Sequence, residues 1–237
     1  MINNNSMRIL LIVFLSVICS GTSLMAQSEV NQNDANGKRH GVWKKYYPGT
    51  KQLRYEGTFE HGKEVGTFKF YCEECKDKPT AVKEYNSANN KANVKYYTIK
   101  GKLVSEGMME GQNRIGEWLY FHEKSNAVMT REFYIDGKLE GKKITYYPDG
   151  TITEELSFKN GRMEGENNYY SPEGILIKKL KYRDDELQGE AFYYDAYGNM
   201  VISGFYKDGQ KHGLWKYYKN GKVTLEETYP KPIDPRN

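Results

Sequence analysis

Between residues 36 and 229, apolar and polar residues alternate in short runs, each closed by a turn signal. Thr151-Ile152-Thr153-Glu154-Glu155-Leu156-Ser157-Phe158 is such a run. Its period of two sends apolar side chains to one face of a strand and polar ones to the other. Asn-Gly or Asp-Gly dipeptides begin at residues 36, 136, 149, 160, 208 and 220, and they tolerate the positive φ that tight hairpins require. No segment combines a 3.6-residue period with caps, so the pattern predicts strands and no helices.

The runs are copies of one unit. A turn residue, Gly, polar residues and a second Gly recur as Asn36-Gly37-Lys38-Arg39-His40-Gly41, His61-Gly62-Lys63-Glu64-Val65-Gly66 and Asp136-Gly137-Lys138-Leu139-Glu140-Gly141. The second glycine falls at 41, 66, 116, 141, 165, 189 and 213, with successive gaps of 25, 50, 25, 24, 24 and 24. The double gap predicts a worn copy near residue 91, where Lys91 is followed by Val94, Tyr96 and Tyr97. An aromatic strand follows each second glycine, as in Glu117-Trp118-Leu119-Tyr120-Phe121 and Leu214-Trp215-Lys216-Tyr217-Tyr218; next come a turn such as Pro148-Asp149-Gly150 and a second strand. A lone hairpin is marginal in water, so each must pack on its neighbours. The expectation is an all-β fold, an elongated single-layer array of about eight tandem β-hairpin repeats. At about 4.8 Å per strand, sixteen strands give a twisted sheet about 75 Å long. Trp118 with Tyr120, Trp215 with Tyr217, and Phe68 with Phe70 share a face, and their rings are expected to form a ladder from repeat to repeat.

Composition agrees with a thin sheet. Hydrophobic residues make up only 38% of the chain, yet 14% are aromatic and 21 residues are Tyr, whose ring suits a surface packed on one side and wet on the other. The 35 basic and 31 acidic residues are interspersed. Without a concentrated basic stripe, a nucleic-acid partner is not expected.

The N-terminus reads as a secretory signal at residues 1–26. Arg8 supplies the positive region, Ile9 to Ile18 form the apolar run, and small residues lead to cleavage after Ala26, with Met7 as a candidate start. Cys19 lacks the small preceding residue of a lipid-acceptor site, so cleavage explains the segment better. The expected organisation is a disordered spacer at 27–35, the repeat array at 36–229 and a tail at 230–237. The mature protein is expected to be exported, in the periplasm or outside the cell, soluble but able to associate with the envelope.

Tyr55-Glu56-Gly57-Thr58-Phe59-Glu60-His61-Gly62-Lys63-Glu64-Val65-Gly66-Thr67-Phe68 resembles the MORN repeat, and Gly213-Leu214-Trp215-Lys216-Tyr217-Tyr218-Lys219-Asn220-Gly221 resembles its bacterial variant, whose members are often labelled antitoxin-like. The likeness covers about residues 36 to 229. The unit here is a residue or two longer than the usual one, and the third copy has lost its glycines. The resemblance implies the repeat fold and a scaffolding, dimerisation or lipid-contacting role rather than catalysis.

Candidate chemistry is sparse. Cys72 and Cys75 form Cys-x-x-Cys in a loop. Zinc would need two more ligands and a redox centre a thioredoxin-like unit; a local disulfide in an oxidising compartment is the plainest account, with free thiols, metal and redox use left open. His40 and His212 share one repeat position, so they read as turn residues. The pairs Glu154-Glu155 and Glu226-Glu227 read as solvent-facing. No catalytic residues, cofactor or metal are expected. The aromatic ladder reads first as core and second as a recognition surface.

These observations point to an exported, non-enzymatic binding or scaffolding protein that captures a macromolecule. A protein partner is expected first; a glycan or lipid ligand, or an antitoxin-like immunity role, are the alternatives. The partner surface is expected near the breaks in repeat phase, Cys72 to Thr80 and Asn86 to Asn93, backed by exposed Tyr96 and Tyr97.

Overall fold

The computed structural model describes residues 29–231, and the expected signal segment lies outside them. Every regular element among the described residues is a strand. Each strand pairs antiparallel with its neighbours in sequence, from Arg39–Tyr46 through to Lys222–Tyr229, in one open meander. The two-residue pieces Lys138–Leu139, Arg162–Met163 and Glu186–Leu187 are the leading ends of the strands that follow them, and Gln32–Asn33 is a short edge. Sixteen full strands remain, two per repeat, so the single-layer array of hairpins holds, including the worn third copy built from Lys91–Tyr97 and Leu103–Glu110.

The two ends of the hairpins use different turns. At one end most loops have two residues, both with positive φ, as at Asp136 (49°) and Gly137 (78°) or Asp208 (49°) and Gly209 (74°). That is the type I′ turn, whose twist matches the strands it joins. At the other end four loops have three residues and finish on glycine, as in Pro148-Asp149-Gly150, where Tyr147 N–H donates to Thr151 O at 2.7 Å, while the last, Asn220-Gly221, is again a two-residue turn. The type I′ turns also stack. The Gly137, Gly161 and Gly209 N–H groups donate to the carbonyls of Arg114, Leu139 and Leu187 in the preceding repeat, at 3.0, 2.8 and 3.0 Å. Glu140 and Gln188 side chains accept from the N–H groups of Asn160 and Asp208, both at 2.8 Å.

The second glycine bends its strand in every repeat but the third, where Ala92 replaces it. At Gly116 φ is +65° and an added Cβ would meet nothing within 4 Å, so the backbone angle, not space, demands glycine. The bend folds the residue two places earlier back over one face, here called the inner face. Arg39, Arg114 and Lys211 each end over the Trp of their own repeat, at 4.9, 4.5 and 4.2 Å from Trp43, Trp118 and Trp215. Where the Trp is replaced by Lys143, Asn167 or Ala191, the covering residue is Leu139, Met163 or Leu187. A cation thus covers each of the three Trp rings, whereas the corresponding position is Glu64 beside Phe68 and Asn90 beside Val94.

The inner face holds the core. Trp118 and Trp215 are fully buried, as is Phe68. Their ladder is not continuous, because Lys143, Asn167 and Ala191 occupy the same slot in three successive repeats. Across that slot the preceding strand supplies a residue of complementary size or charge. Gly57 faces Phe68, Gly107 faces Trp118 and Gly204 faces Trp215, and a Cβ at any of these glycines would fall inside the ring opposite. Leu180 packs on Ala191. Glu132 meets Lys143 at 3.7 Å. The Trp indoles lie over the gap and donate to the next carbonyl, Trp118 to Met108 O at 3.0 Å and Trp215 to Phe205 O at 3.2 Å.

Trp43, with no preceding repeat, donates instead to Gln32 O at 3.0 Å. Residues 31–35 are therefore not the disordered spacer expected for 27–35. Gln32–Asn33 pairs with His40 and Arg39, Asn31 Oδ1 accepts from Lys44 N–H at 2.8 Å, and Asp34 accepts from His61 Nδ1 at 2.7 Å. The segment is ordered because it closes the first open edge. The His61 contact holds the Asp34 carboxyl down to about 2.

Two stability predictions follow from the slot pairs. Deleting residues 165–188 brings Leu156 against Ala191, the same combination as Leu180 with Ala191, and should give a folded, shorter array. Deleting residues 141–164 leaves Glu132 buried against Asn167 without Lys143, and should cost about 3 kcal/mol more in urea unfolding. Gly107→Ala should cost about 1–3 kcal/mol by overpacking Trp118 and Trp118→Ala about 3–5 kcal/mol. In a double-mutant cycle the Gly107→Ala cost should vanish once the indole is gone.

Candidate binding surface

The inner face is closed by its own side chains. Glu132 is buried, accepts from Tyr134 Oη at 2.7 Å, and shares a network with Arg114, which donates to Tyr120 and to Tyr134 at 3.2 Å. Burial pushes the Tyr120 and Tyr134 phenols up, with Glu132 adding to the effect. They stay protonated and structural at neutral pH. Glu154 accepts from Thr145 Oγ1 at 3.1 Å, and Glu227 from Tyr217 and Tyr229 at 2.9 and 2.8 Å. Of the two carboxylate pairs, then, only Glu155 and Glu226 lie on the other side of the sheet; strand alternation turns their neighbours inward, Glu154 onto Thr145 and Glu227 onto two tyrosines. Among the described residues there is no group of three or more His, Cys, Asp or Glu able to hold a metal ion.

The outer face is organised around one unbroken row, a single residue per strand in continuous register. It runs Lys44, Glu56, Lys69, Val82, Lys95, Glu106, Leu119 and Arg131. It continues through Ile144, Glu155, Asn168, Lys179, Phe192, Ser203, Lys216 and Glu226. Opposite charges neutralise one another along it, as in Lys44–Glu56 at 3.5 Å, Lys95–Glu106 at 3.4 Å and Lys216–Glu226 at 3.8 Å. Other charges pair diagonally, Arg131 with Glu117 at 3.3 Å and Lys179 with Glu166 at 3.0 Å. Near the centre the row turns apolar, and beside it Phe133 and Ile135 stand 46% and 53% exposed.

Beside this row, towards the three-residue turns, lies an aromatic stripe: Tyr46, Tyr71, Tyr97, Phe121, Tyr146, Tyr170, Tyr194 and Tyr218. Strand alternation sets these rings opposite the inner ones. Their hydroxyls confirm the side, because Tyr71 donates to Glu56 at 2.9 Å, Tyr170 donates to Glu155 at 3.1 Å, and Tyr218 lies 3.0 Å from Ser203 Oγ. Burial and Glu56 push the Tyr71 phenol up to about 12. Tyr46 is exposed and the others are half-buried. The inner rings drew attention in the sequence because they include the Trp residues. The stripe had its own signal, an aromatic five places after every second glycine.

The expected partner residues separate. Tyr96 is an inner residue stacked on Trp118 with ring centroids 6.2 Å apart, and Tyr97 faces outward. Consecutive residues of one strand cannot share a face, and both rings are half-buried rather than exposed. The two phase breaks lie at opposite ends of Ala81–Tyr85. Residues 86–90 sit at the two-residue-turn end. Residues 72–80 sit at the three-residue-turn end beside Tyr71 and Tyr97, whose N–H donates to Thr80 O at 2.8 Å. In this loop Cys72 and Cys75 are joined by a disulfide, with Cα atoms 5.0 Å apart. Cys75 is buried, and Lys78 Nζ reaches Lys100 O at 2.8 Å in the next turn. His40 stacks on His61 at 5.0 Å, a turn-to-turn contact.

Comparison with family models and with curated proteins gives no match. Among solved structures, the chain is similar to a protein with unknown function from Bacteroides fragilis NCTC 9343, at 13% identity and a TM-score of 0.15 over 82% of this chain and 95% of that one.

The split between the two neighbouring tyrosines is testable. Tyr96→Ala should lower stability by about 2 kcal/mol through lost packing on Trp118. Tyr97→Ala should cost less than about 1 kcal/mol. Equal losses in parallel urea titrations would contradict the assignment of faces.

Proposed function

We propose that the protein is an exported, non-catalytic repeat module of MORN type that captures a macromolecular partner on its outer face. One observation carries the reading: the outer face presents a ring from every repeat although the core of the sheet lies on the inner face. A ring in every repeat on the face away from the core is what a contact surface needs. Apolar side chains such as Phe133 and Ile135, exposed among ion pairs, have the character of an interface. The loop at residues 72–80 borders the stripe and shapes its margin near Tyr71 and Tyr97.

The chain from Gln27 onward, immobilised and exposed to envelope extracts, should retain a partner that a Tyr146→Ala, Tyr170→Ala variant does not. Replacing residues 72–80 with an Asp-Gly turn should weaken capture, and altering residues 86–90 should not. Retention indifferent to all three changes would remove the outer face from the reading. Turnover of an envelope substrate by the purified chain would overturn the non-catalytic part.

A further inference from the structure

We infer that the outer stripe holds an extended, neutral β-1,4-linked glycan chain, with one repeat advancing along two sugars. The inference rests on the binding-module reading and names its ligand. Its first support is periodicity. The rings recur on every second strand, and at about 4.8 Å per strand that is about 9.6 Å per ring. A β-1,4-linked glycan repeats its orientation every second sugar over a closely similar length, so one chain can present an equivalent face to successive rings. A globular partner offers no such translation.

The chemistry of the stripe agrees. A pyranose has a flat face of C–H groups that packs on an aromatic ring and a rim of hydroxyls that needs polar partners. Three of the eight rings have such partners beside them: Glu56 at Tyr71, Glu155 at Tyr170 and Ser203 at Tyr218. Charge narrows the class. Every charged residue of the row beside the stripe has an ion-pair partner, either in the row or diagonal to it, so it offers little net field to a polyanion such as a nucleic acid or an acidic lipid surface. A neutral polymer meets no opposing charge. The twist of the sheet turns the stripe steadily about its axis, so a straight chain follows only a few consecutive rings before it must bend.

The chain from Gln27 onward is titrated calorimetrically with cello- and chito-oligosaccharides of two, four and six sugars. Affinity should rise by about fivefold or more with each added disaccharide as another ring is engaged. Tyr146→Ala with Tyr170→Ala should weaken binding of the six-sugar ligand by about tenfold or more with an unchanged circular dichroism spectrum. Phenylalanine at both positions should largely preserve it. Absence of binding to either series, together with no co-sedimentation with cellulose, chitin or peptidoglycan sacculi, would overturn the inference. So would binding that the double alanine variant leaves intact. A protein partner lost with the alanine variant in the absence of any glycan affinity would overturn the glycan and keep the binding module; if neither class binds, both readings fall.

Discussion

A sheet one layer thick can bury only one of its faces, and it must do so with side chains from its own strands. Everything else in this molecule follows from that constraint. No second layer supplies volume, so each large inner side chain needs a gap beside it and a lid above it. The gap comes from the strand before, as Gly107 under Trp118 or Gly204 under Trp215. The lid comes from the same repeat, two residues ahead of a glycine whose positive φ turns the chain back. Where the slot is small or charged, both accessories change with it: Leu180 fills the space above Ala191, and Glu132 answers Lys143. The pairing rule is local to adjacent strands, so the array can change its inner chemistry from repeat to repeat without breaking.

The same locality makes the ends special. An interior Trp finds its carbonyl in the preceding strand, whereas Trp43 finds it in Gln32. The short N-terminal segment thus performs for the first repeat what a hairpin performs for the others. Stacked turns add a second line of continuity, since each type I′ turn donates to the repeat before it. Cohesion runs along the array through both the slots and the turns, which is the behaviour of a quasi-one-dimensional fold.

Much of this was legible in the sequence. The glycine spacing and Asn-Gly signals specify the hairpins, their number and even the worn copy around Lys91, because tight turns admit few residues. The ring ladder was legible only in part. Period-two alternation places Trp118 and Tyr120 on one face but says nothing about which residue of the neighbouring strand lies opposite, so the interruption at Lys143, Asn167 and Ala191 and its compensation by Glu132 and Leu180 emerge only with register. Tyr96 and Tyr97 show the limit of reading composition without alternation: adjacent tyrosines look like one patch and belong to two faces. Residues 31–35 looked like a spacer because capping needs backbone groups, and composition does not reveal where those point.

The division between faces also bears on function. Two inner groups are held by partners: burial and Glu132 push the Tyr134 phenol up, and Lys231 with two phenols holds the Glu227 carboxyl down to about 2. The outer face carries rings and paired charges in a geometry that repeats rather than converges. Catalysis gathers different groups around one point, whereas a row that presents the same ring every second strand suits a long ligand met many times over. Weak contacts multiplied along one chain bind tightly without any single deep pocket, and that is the kind of affinity a sheet without a second layer can offer.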